Sequence, residues 1–215
     1  MTTEAIPPDP RIVLNNIRWE TYEHLLADLQ NSSAPRLAYD GGKLEIMSSL
    51  PEHEEYNRTL ALLVEVLAEE WNLEIRDLGS TTLKRADKAR GFEPDSCFYL
   101  QNAESVASRP ELDLSTAPPP DLVIIINIIP TLLDRTALCA EMGVPEVWRY
   151  DGISLTIEAL RGGVYHELDE SQVLPPMTRP VLLDFVEGSK SLKRAAWLKR
   201  LREWARKHGT PTGSA

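Results

Sequence analysis

The stretch PDLVIIINII, residues 120–129, decides how this 215-residue chain folds. Its branched aliphatic side chains are typical of a strand that is covered on both faces of a sheet. The run is too short to cross a bilayer, and Asn127 interrupts it. Helical spacing on either side of it predicts helices that supply the covering layers. We therefore expect an α/β sandwich built around a central mixed sheet.

The composition is that of an ordinary globular protein in a reducing compartment. Hydrophobic residues make up 42% of the chain and charged residues 26%. The two cysteines, Cys97 and Cys139, form neither a metal-ligand spacing nor a disulfide framework. The N-terminus lacks a basic start followed by an apolar stretch, so we expect no secretion signal. These features predict a cytoplasmic protein with no membrane segment.

The net charge of −10 bears on possible partners. An acidic protein does not attract nucleic acid by its overall charge, so any such contact needs local basic patches. Two patches are present, one within residues 76–90 and one in the C-terminal segment 188–215. In the second patch, apolar residues at helical spacing predict an amphipathic helix. This helix would either bind phosphate through its basic face, or dock on the acidic body of the same chain or on a second subunit.

The order of elements follows from periodicity and turn residues. Residues 36–48 predict a β-hairpin around an Asp-Gly turn. A helix is expected at 51–72, with Ser49 as its cap and Glu52 reaching back to that cap. A loose segment, 1–17, is expected to precede a single domain, 18–208. Further helices are expected at 19–30, 131–143, 184–187 and 192–208, strands at 74–77, 81–85, 95–100, 121–129, 146–150, 154–160 and 164–167, and loops at 86–94 and 102–120.

The segment Phe92-Glu93-Pro94-Asp95 carries the chemistry that the pattern suggests. Hydrolysis of a phosphodiester needs a divalent cation to neutralise the phosphate and to activate water. Magnesium prefers carboxylate oxygens, and acids on adjacent strands can share one ion. The sequence form of such a site is an acid after a proline on one strand, followed by acid-x-Lys on the next. Asp95 supplies the first acid of that form.

Six segments together resemble the Uma-type family of putative restriction endonucleases, within the PD-(D/E)XK nuclease superfamily. The resemblance covers residues 18–205 and implies a restriction-endonuclease-like fold in a family abundant in cyanobacteria. It also implies magnesium-dependent cleavage of DNA by a metal-activated water, often by a homodimer in which each subunit attacks one strand. The segments are YDGGKLEIMS (39–48), LPEHE (50–54), GSTT (79–82), FEPD (92–95), PPDLVI (119–124) and GVPEVWRYDG (143–152).

The chain departs from the family pattern on the strand that should carry the remaining acids. That strand usually reads Asp-Leu-Val-Ile-Glu-Ile-Asp-Ile, whereas this chain has Ile125 and Asn127 at the two later acidic positions. Asp121 is four residues from position 125, about 13 Å away at ~3.3 Å per residue, so it cannot replace the lost carboxylate. We expect metal affinity and turnover to be severely reduced. The competing hypothesis is a nuclease-fold module that binds nucleic acid or protein without chemistry.

The resemblance implies roles for four residues, and a fifth, Lys84, is a candidate because it ends the preceding strand, where it could touch phosphate. Asp95 would be both a metal ligand and a catalytic residue, with Lys84 and Arg135 as catalytic cations. Glu45 and Asn127 would complete the metal ligands. Simpler alternatives stay open for four of them: a strand-edge acid after a proline turn for Asp95, a solvated strand end for Lys84, an exposed charge for Glu45, and a pair with Asp134 or Glu141 for Arg135.

Three further residues stay open. Glu54 could add to the acid cluster or be an exposed charge. His53 could act as a base or pack beside the start of the helix. Cys97 is most simply a packed core residue, although a third and weaker hypothesis makes it the nucleophile of a different enzyme.

Overall fold

The computed structural model describes residues 11–29, 35–48, 50–107, 113–129 and 131–209. Ser49, the expected helix cap, lies outside these residues. In chain order the elements are β1 (Arg11–Leu14), α1 (Trp19–Leu29), β2 (Arg36–Asp40), β3 (Lys43–Met47), α2 (Pro51–Glu70), β4 (Arg76–Asp77), β5 (Leu83–Arg85), a 3-10 turn (Ala86–Lys88), β6 (Arg90–Phe92), β7 (Ser96–Tyr99), α3 (Ala103–Val106), β8 (Leu122–Ile126), α4 (Arg135–Met142), β9 (Glu146–Tyr150), β10 (Leu155–Arg161), β11 (Val164–Leu168), α5 (Arg179–Ser191) and α6 (Arg194–His208).

The strands of the described residues form two sheets. A six-stranded mixed sheet has the order β11-β10-β9-β8-β7-β4, with β8 and β9 parallel. A five-stranded antiparallel sheet has the order β1-β3-β2-β6-β5. The α/β sandwich with a mixed sheet and flanking helices is therefore confirmed. The sequence prediction placed the hairpin β2–β3 and the strand that contains β5 in this region, but it did not join them into a second sheet.

Strand β8 is buried along its whole length, as its composition predicts. Leu122, Ile124 and Ile126 face α2, α5 and α6 in one apolar cluster. Val123 and Ile125 face the opposite way, into a cluster formed with α4 and the five-stranded sheet. Alternate residues of one strand thus serve two cores, because successive side chains of a strand point to opposite faces.

The C-terminal helix α6 docks on the body of the chain. Trp197 and Leu201 are buried in the core. Arg202 pairs with Glu69 and Glu70, at 3.0 and 2.8 Å. Hydrogen bonds from Arg206 and then Arg202 lower the pKa of Glu70. The structure therefore supports intramolecular docking of the part of the basic face that Arg202 and Arg206 form.

Four elements differ from the sequence prediction, and one of them is helix α3, which lies within the predicted loop 102–120. Strand β1 pairs with β3, although residues 11–14 were placed in the loose N-terminal segment. Strand β6 lies within the stretch 86–94 that was predicted to be a loop. Helix α5 is much longer than the predicted 184–187. Strands β1 and β6 have only four and three residues, too few for alternation to separate them from a loop. None of the described helices has the length and apolarity that a membrane crossing requires.

Gly91 is required where β6 passes beneath α1. A Cβ at this position would lie 2.4 Å from the hydroxyl oxygen of Tyr22, which is fully buried. We predict that Gly91→Ala lowers the free energy of unfolding by about 1–3 kcal/mol, as overpacking does in a tight core. Gly188→Ala is the matched control, because the nearest atom to its Cβ is a terminal nitrogen of the Arg200 side chain, at 3.0 Å, and the next two, on Trp197 and Leu192, lie at ordinary contact distances of 3.8 and 3.9 Å. This control should be neutral, or stabilising by up to about 1 kcal/mol in a helix. Urea denaturation of both variants makes the comparison, and equal destabilisation would contradict the packing argument.

Candidate functional site

Asp95 lies at the entrance to β7, directly across from Ile125. The antiparallel register pairs Ser96 with Ile124. Continued by one residue, the same register places Asp95 opposite Ile125. Residues opposite each other on antiparallel strands share one face of the sheet. The side chain at position 125 is therefore a direct neighbour of Asp95, and in this chain it brings no oxygen.

The Asp95 carboxylate is 1% exposed and both of its oxygens are engaged. Oδ1 accepts a hydrogen bond from Nη1 of Arg36 at 2.5 Å. Oδ2 accepts one from the backbone N–H of Ile126 at 2.7 Å. The backbone carbonyl of Asp95 accepts from the side-chain amide of Asn57 at 3.0 Å. One residue thus ties β2, β8 and α2 together.

Two more basic side chains face the same carboxylate. Nε2 of His53 lies 3.3 Å from Oδ1 of Asp95 and 3.0 Å from the carbonyl oxygen of Ile126. Because a carbonyl oxygen can only accept, this nitrogen carries a hydrogen. Nη1 of Arg135 lies 3.7 Å from Oδ2 of Asp95. His53 is buried beside the start of α2, where the packing alternative placed it.

The structure brings Arg135 to the site but gives Lys84 another environment. Lys84 lies on β5 of the other sheet, with Nζ 3.8 Å from Glu23. The acids that were alternative partners of Arg135 are engaged elsewhere. Asp134 caps α4 by accepting from the N–H of Ala137 at 3.0 Å, and Glu141 pairs with Lys88 at 2.8 Å.

The two other expected metal ligands do not hydrogen-bond to Asp95 or its cations. Glu45 is fully buried rather than an exposed charge. One of its oxygens accepts from the N–H of Leu132 at 3.1 Å, and the other has no hydrogen-bond partner. The backbone of Asn127 donates to the carbonyl of Tyr150 at 2.7 Å, and its side-chain oxygen is also unpartnered.

Sequence reasoning missed Arg36 as a member of the site. Nη2 of Arg36 contacts Glu54 at 2.6 Å while Nη1 holds Asp95, so one guanidinium joins two acids. Glu54 is thereby placed at the site, as the acid-cluster alternative had it. No local motif marks Arg36, because its role depends on how the β2–β3 hairpin lies against β7.

The residues present do not fit a magnesium ion. Across the described ranges, no group of three or more His, Cys, Asp or Glu side chains could hold a metal ion. Asp95 already faces Arg36 and Arg135, and at ~4 Å two unit charges repel by about 4 kcal/mol at an effective dielectric constant near 20. Because a divalent cation carries two charges, each guanidinium would repel it with about twice that energy. No catalytic step is therefore derived through a metal for this chain.

A cavity of about 290 Å³ opens beside Asp95. Arg58 and Arg194 line it, and neither forms an ion pair within the described residues. Glu65 and Asp77 line it as well. Burial and then a hydrogen bond with Asp77 raise the pKa of Glu65.

Cys97 does not have the environment of a nucleophile. It is fully buried in the apolar cluster that contains Val123 and Ile125. Burial, with a smaller contribution from Asp77, raises the pKa of its thiol. A thiol held in the protonated form is a poor nucleophile. The packed-core alternative describes Cys97 better than the enzyme hypothesis.

The mixed sheet, helix α2 and the Pro94-Asp95 turn define an α/β protein of the nuclease-fold class. The profile of the Uma2 family, described as putative restriction endonuclease, matches residues 19–193, so the chain belongs to that family. Among solved structures, the chain is similar to a putative nuclease belonging to DUF820 from Anabaena variabilis ATCC 29413. That likeness has 15% identity and a TM-score of 0.51, and it covers 88% of this chain and 99% of the other.

The structural likeness, at this identity, shows the fold alone. No curated protein matches the chain. The family as a whole generally uses a divalent metal. Membership and fold were thus both predicted correctly from the six quoted segments, and the chain is a nuclease-family protein.

Asp95 is predicted to be a structural anchor. Asp95→Asn removes the charge that neutralises Arg36, and breaking a buried ion pair from one side costs about 3–5 kcal/mol. The matched control is Asp184→Asn, since Asp184 also pairs with an arginine, Arg200, but is 59% exposed. We expect that change to stay within about 0.5 kcal/mol. Urea denaturation compares the two, and a loss in Asp95→Asn as small as in the control would contradict the anchoring role.

Proposed function

We propose that this chain is a DNA-directed member of its nuclease family whose hydrolytic step is impaired. The family activity would be magnesium-dependent hydrolysis of DNA phosphodiesters by a metal-activated water. Such chemistry needs several carboxylate oxygens around one ion. In this chain Asp95 would be the ligand position, and it stands without the acids that accompany it in the family pattern.

One observation carries this proposal: Ile125 occupies the place opposite Asp95. A glutamate there would put a second carboxylate on the same sheet face, beside the first. Isoleucine instead packs into the apolar cluster with Val123 and is 2% exposed. Asn127, two residues further along, offers a neutral oxygen and adds no charge. The loss of two carboxylates removes most of the attraction for a divalent ion.

The distribution of cations supports a specific surface for DNA. Members of the middle basic patch are paired with acids: Arg85 with Asp87, Lys88 with Glu141 and Arg90 with Asp40. In α6, Arg202 and Arg206 are also paired.

Arg58 and Arg194 remain beside the Asp95 cavity without an ion pair among the described residues. We place the phosphate contacts there. Because each chain contributes one such site, the expected homodimer would present one site to each DNA strand.

The second candidate is a nuclease-fold module that binds nucleic acid or a protein without cutting. The contact between Asp95 and Arg36 favours it, because an ion pair already satisfies the position that hydrolysis would use. The two candidates share the DNA surface and differ in whether the site can be reactivated. Restoring the missing acids separates them.

We predict that Ile125→Glu combined with Asn127→Asp produces nicking of supercoiled plasmid in the presence of Mn²⁺ or Mg²⁺. The added glutamate at 125 would stand beside Asp95, the aspartate at 127 would restore the second acid of the family pattern, and together the two negative charges would outweigh the single charge of Arg36. The unchanged chain should give little or no nicking, and the restored protein with Asp95→Asn should give none. Agarose gel analysis measures the product, and circular dichroism verifies that each variant is folded.

Two results would contradict the impaired-nuclease proposal. Nicking by the unchanged chain that disappears in Asp95→Asn would show that the site is already competent. A folded restored variant that neither nicks nor binds Mn²⁺ would favour the non-catalytic module.

Arg58 and Arg194 are predicted to supply DNA affinity. Changing both to Gln should weaken binding of a duplex oligonucleotide and flatten its salt dependence by about 1.8 in log–log slope, since each phosphate contact contributes about 0.9. Arg161→Gln is the control, because Arg161 is exposed at the far end of β10. Fluorescence anisotropy at several salt concentrations gives both quantities. Equal slopes in the double variant and the control would place the DNA surface elsewhere.

A further inference from the structure

We infer that Arg36 takes the place of the divalent cation at Asp95, so that the guanidinium both neutralises the carboxylate and keeps metal out. This inference rests on the proposed function, because it concerns the same site. It states which group occupies the metal position and which substitution would make that position available to a metal ion. Removing Arg36 would leave two carboxylates, Asp95 and Glu54, able to take a divalent cation such as Mn²⁺.

The first support is geometric. The two terminal nitrogens of Arg36 contact Oδ1 of Asp95 at 2.5 Å and Oε1 of Glu54 at 2.6 Å. Both acids therefore point at one small cationic group, as ligands of a shared ion would. Charge-assisted contacts of this length are among the stronger hydrogen bonds in proteins. Arg36 is consequently held in position.

The second support is access. The side chain of Arg36 is 13% exposed and that of Glu54 is 39% exposed. Both residues, together with Asp95, line the cavity of about 290 Å³ beside the site. An ion in solution can therefore reach this position once the guanidinium is gone.

The third support is the charge around the position. Besides Arg36, the Asp95 carboxylate faces Nη1 of Arg135 at 3.7 Å and Nε2 of His53 at 3.3 Å. With Arg36 present, the two acids Asp95 and Glu54 face two arginines, Arg36 and Arg135, and leave no net negative charge to offer a divalent ion. Removal of Arg36 shifts the local balance to two acids, Asp95 and Glu54, against Arg135. The positive charge of Arg36 therefore decides whether the acids at this site carry a net negative charge that could attract a divalent cation.

Mn²⁺ binding by the full-length chain tests the inference, with free Mn²⁺ followed by electron paramagnetic resonance and the melting temperature by differential scanning fluorimetry. The unchanged protein should show no Mn²⁺ binding that depends on Asp95. Arg36→Gln should bind Mn²⁺ at least tenfold more tightly and melt at a higher temperature when the ion is added. Arg36→Lys keeps the charge and should behave like the unchanged protein. The double variant Arg36→Gln with Asp95→Asn should lose the gained binding.

Two outcomes would overturn the inference. One is Mn²⁺ binding by the unchanged protein that Asp95→Asn abolishes. The other is a folded Arg36→Gln protein that binds Mn²⁺ no better than the unchanged chain. If Arg36→Gln does not fold, Arg36→Met replaces it, because methionine keeps an unbranched side chain without the positive charge. Mn²⁺ should then bind this variant more tightly than the unchanged protein, and equal binding would overturn the inference.

None of these measurements uses DNA. A failure of the Mn²⁺ prediction would therefore leave the nicking and DNA-binding results to judge the proposed function on their own. If the restored variant fails to nick DNA, the role of Arg36 is still tested independently by the Mn²⁺ binding measurements.

Discussion

The buried contact between the Asp95 carboxylate and the Arg36 guanidinium joins the two sheets of this protein where they meet at the site. Arg36 begins β2 of the antiparallel sheet, and Asp95 precedes β7 of the mixed sheet. Asp95 also receives the N–H of Ile126, so the same carboxylate fixes the end of the central strand. Burying two charges is costly, and removing one partner costs more than the pair ever contributed. The contact therefore constrains both the fold and the chemistry.

A carboxylate that anchors a fold is less available to a metal. In the proposed function, the acid after proline would need carboxylate companions on the next strand, and a divalent ion would balance their charge. Here Ile125 lies opposite Asp95 without a carboxylate, and Arg36 and Arg135 lie beside the Asp95 carboxylate. The apolar replacement also avoids the cost of a second buried acid. The chain thus has the fold of its nuclease family, and at Asp95 the negative charge is neutralised by an arginine side chain.

The sequence predicts the parts of this structure that are long or strongly patterned. Strand β8, helix α2 and the β2–β3 hairpin each have enough residues for periodicity and turn chemistry to act. The three-residue strand β6 lies among charges and a glycine, where no alternation can be read. Position 125 was located from the family pattern, whereas Arg36 was missed because its contact spans 59 residues of sequence. Long-range pairs of this kind arise from tertiary packing, which no local pattern encodes.

A crystal of the unchanged protein grown with Mn²⁺ tests the central claim most directly, because anomalous scattering locates that ion without reference to any assumed ligand. The account predicts no anomalous peak beside Asp95 and a guanidinium of Arg36 that remains in contact with its carboxylate. A fully occupied Mn²⁺ ion on Asp95, with Arg36 turned away, would contradict it.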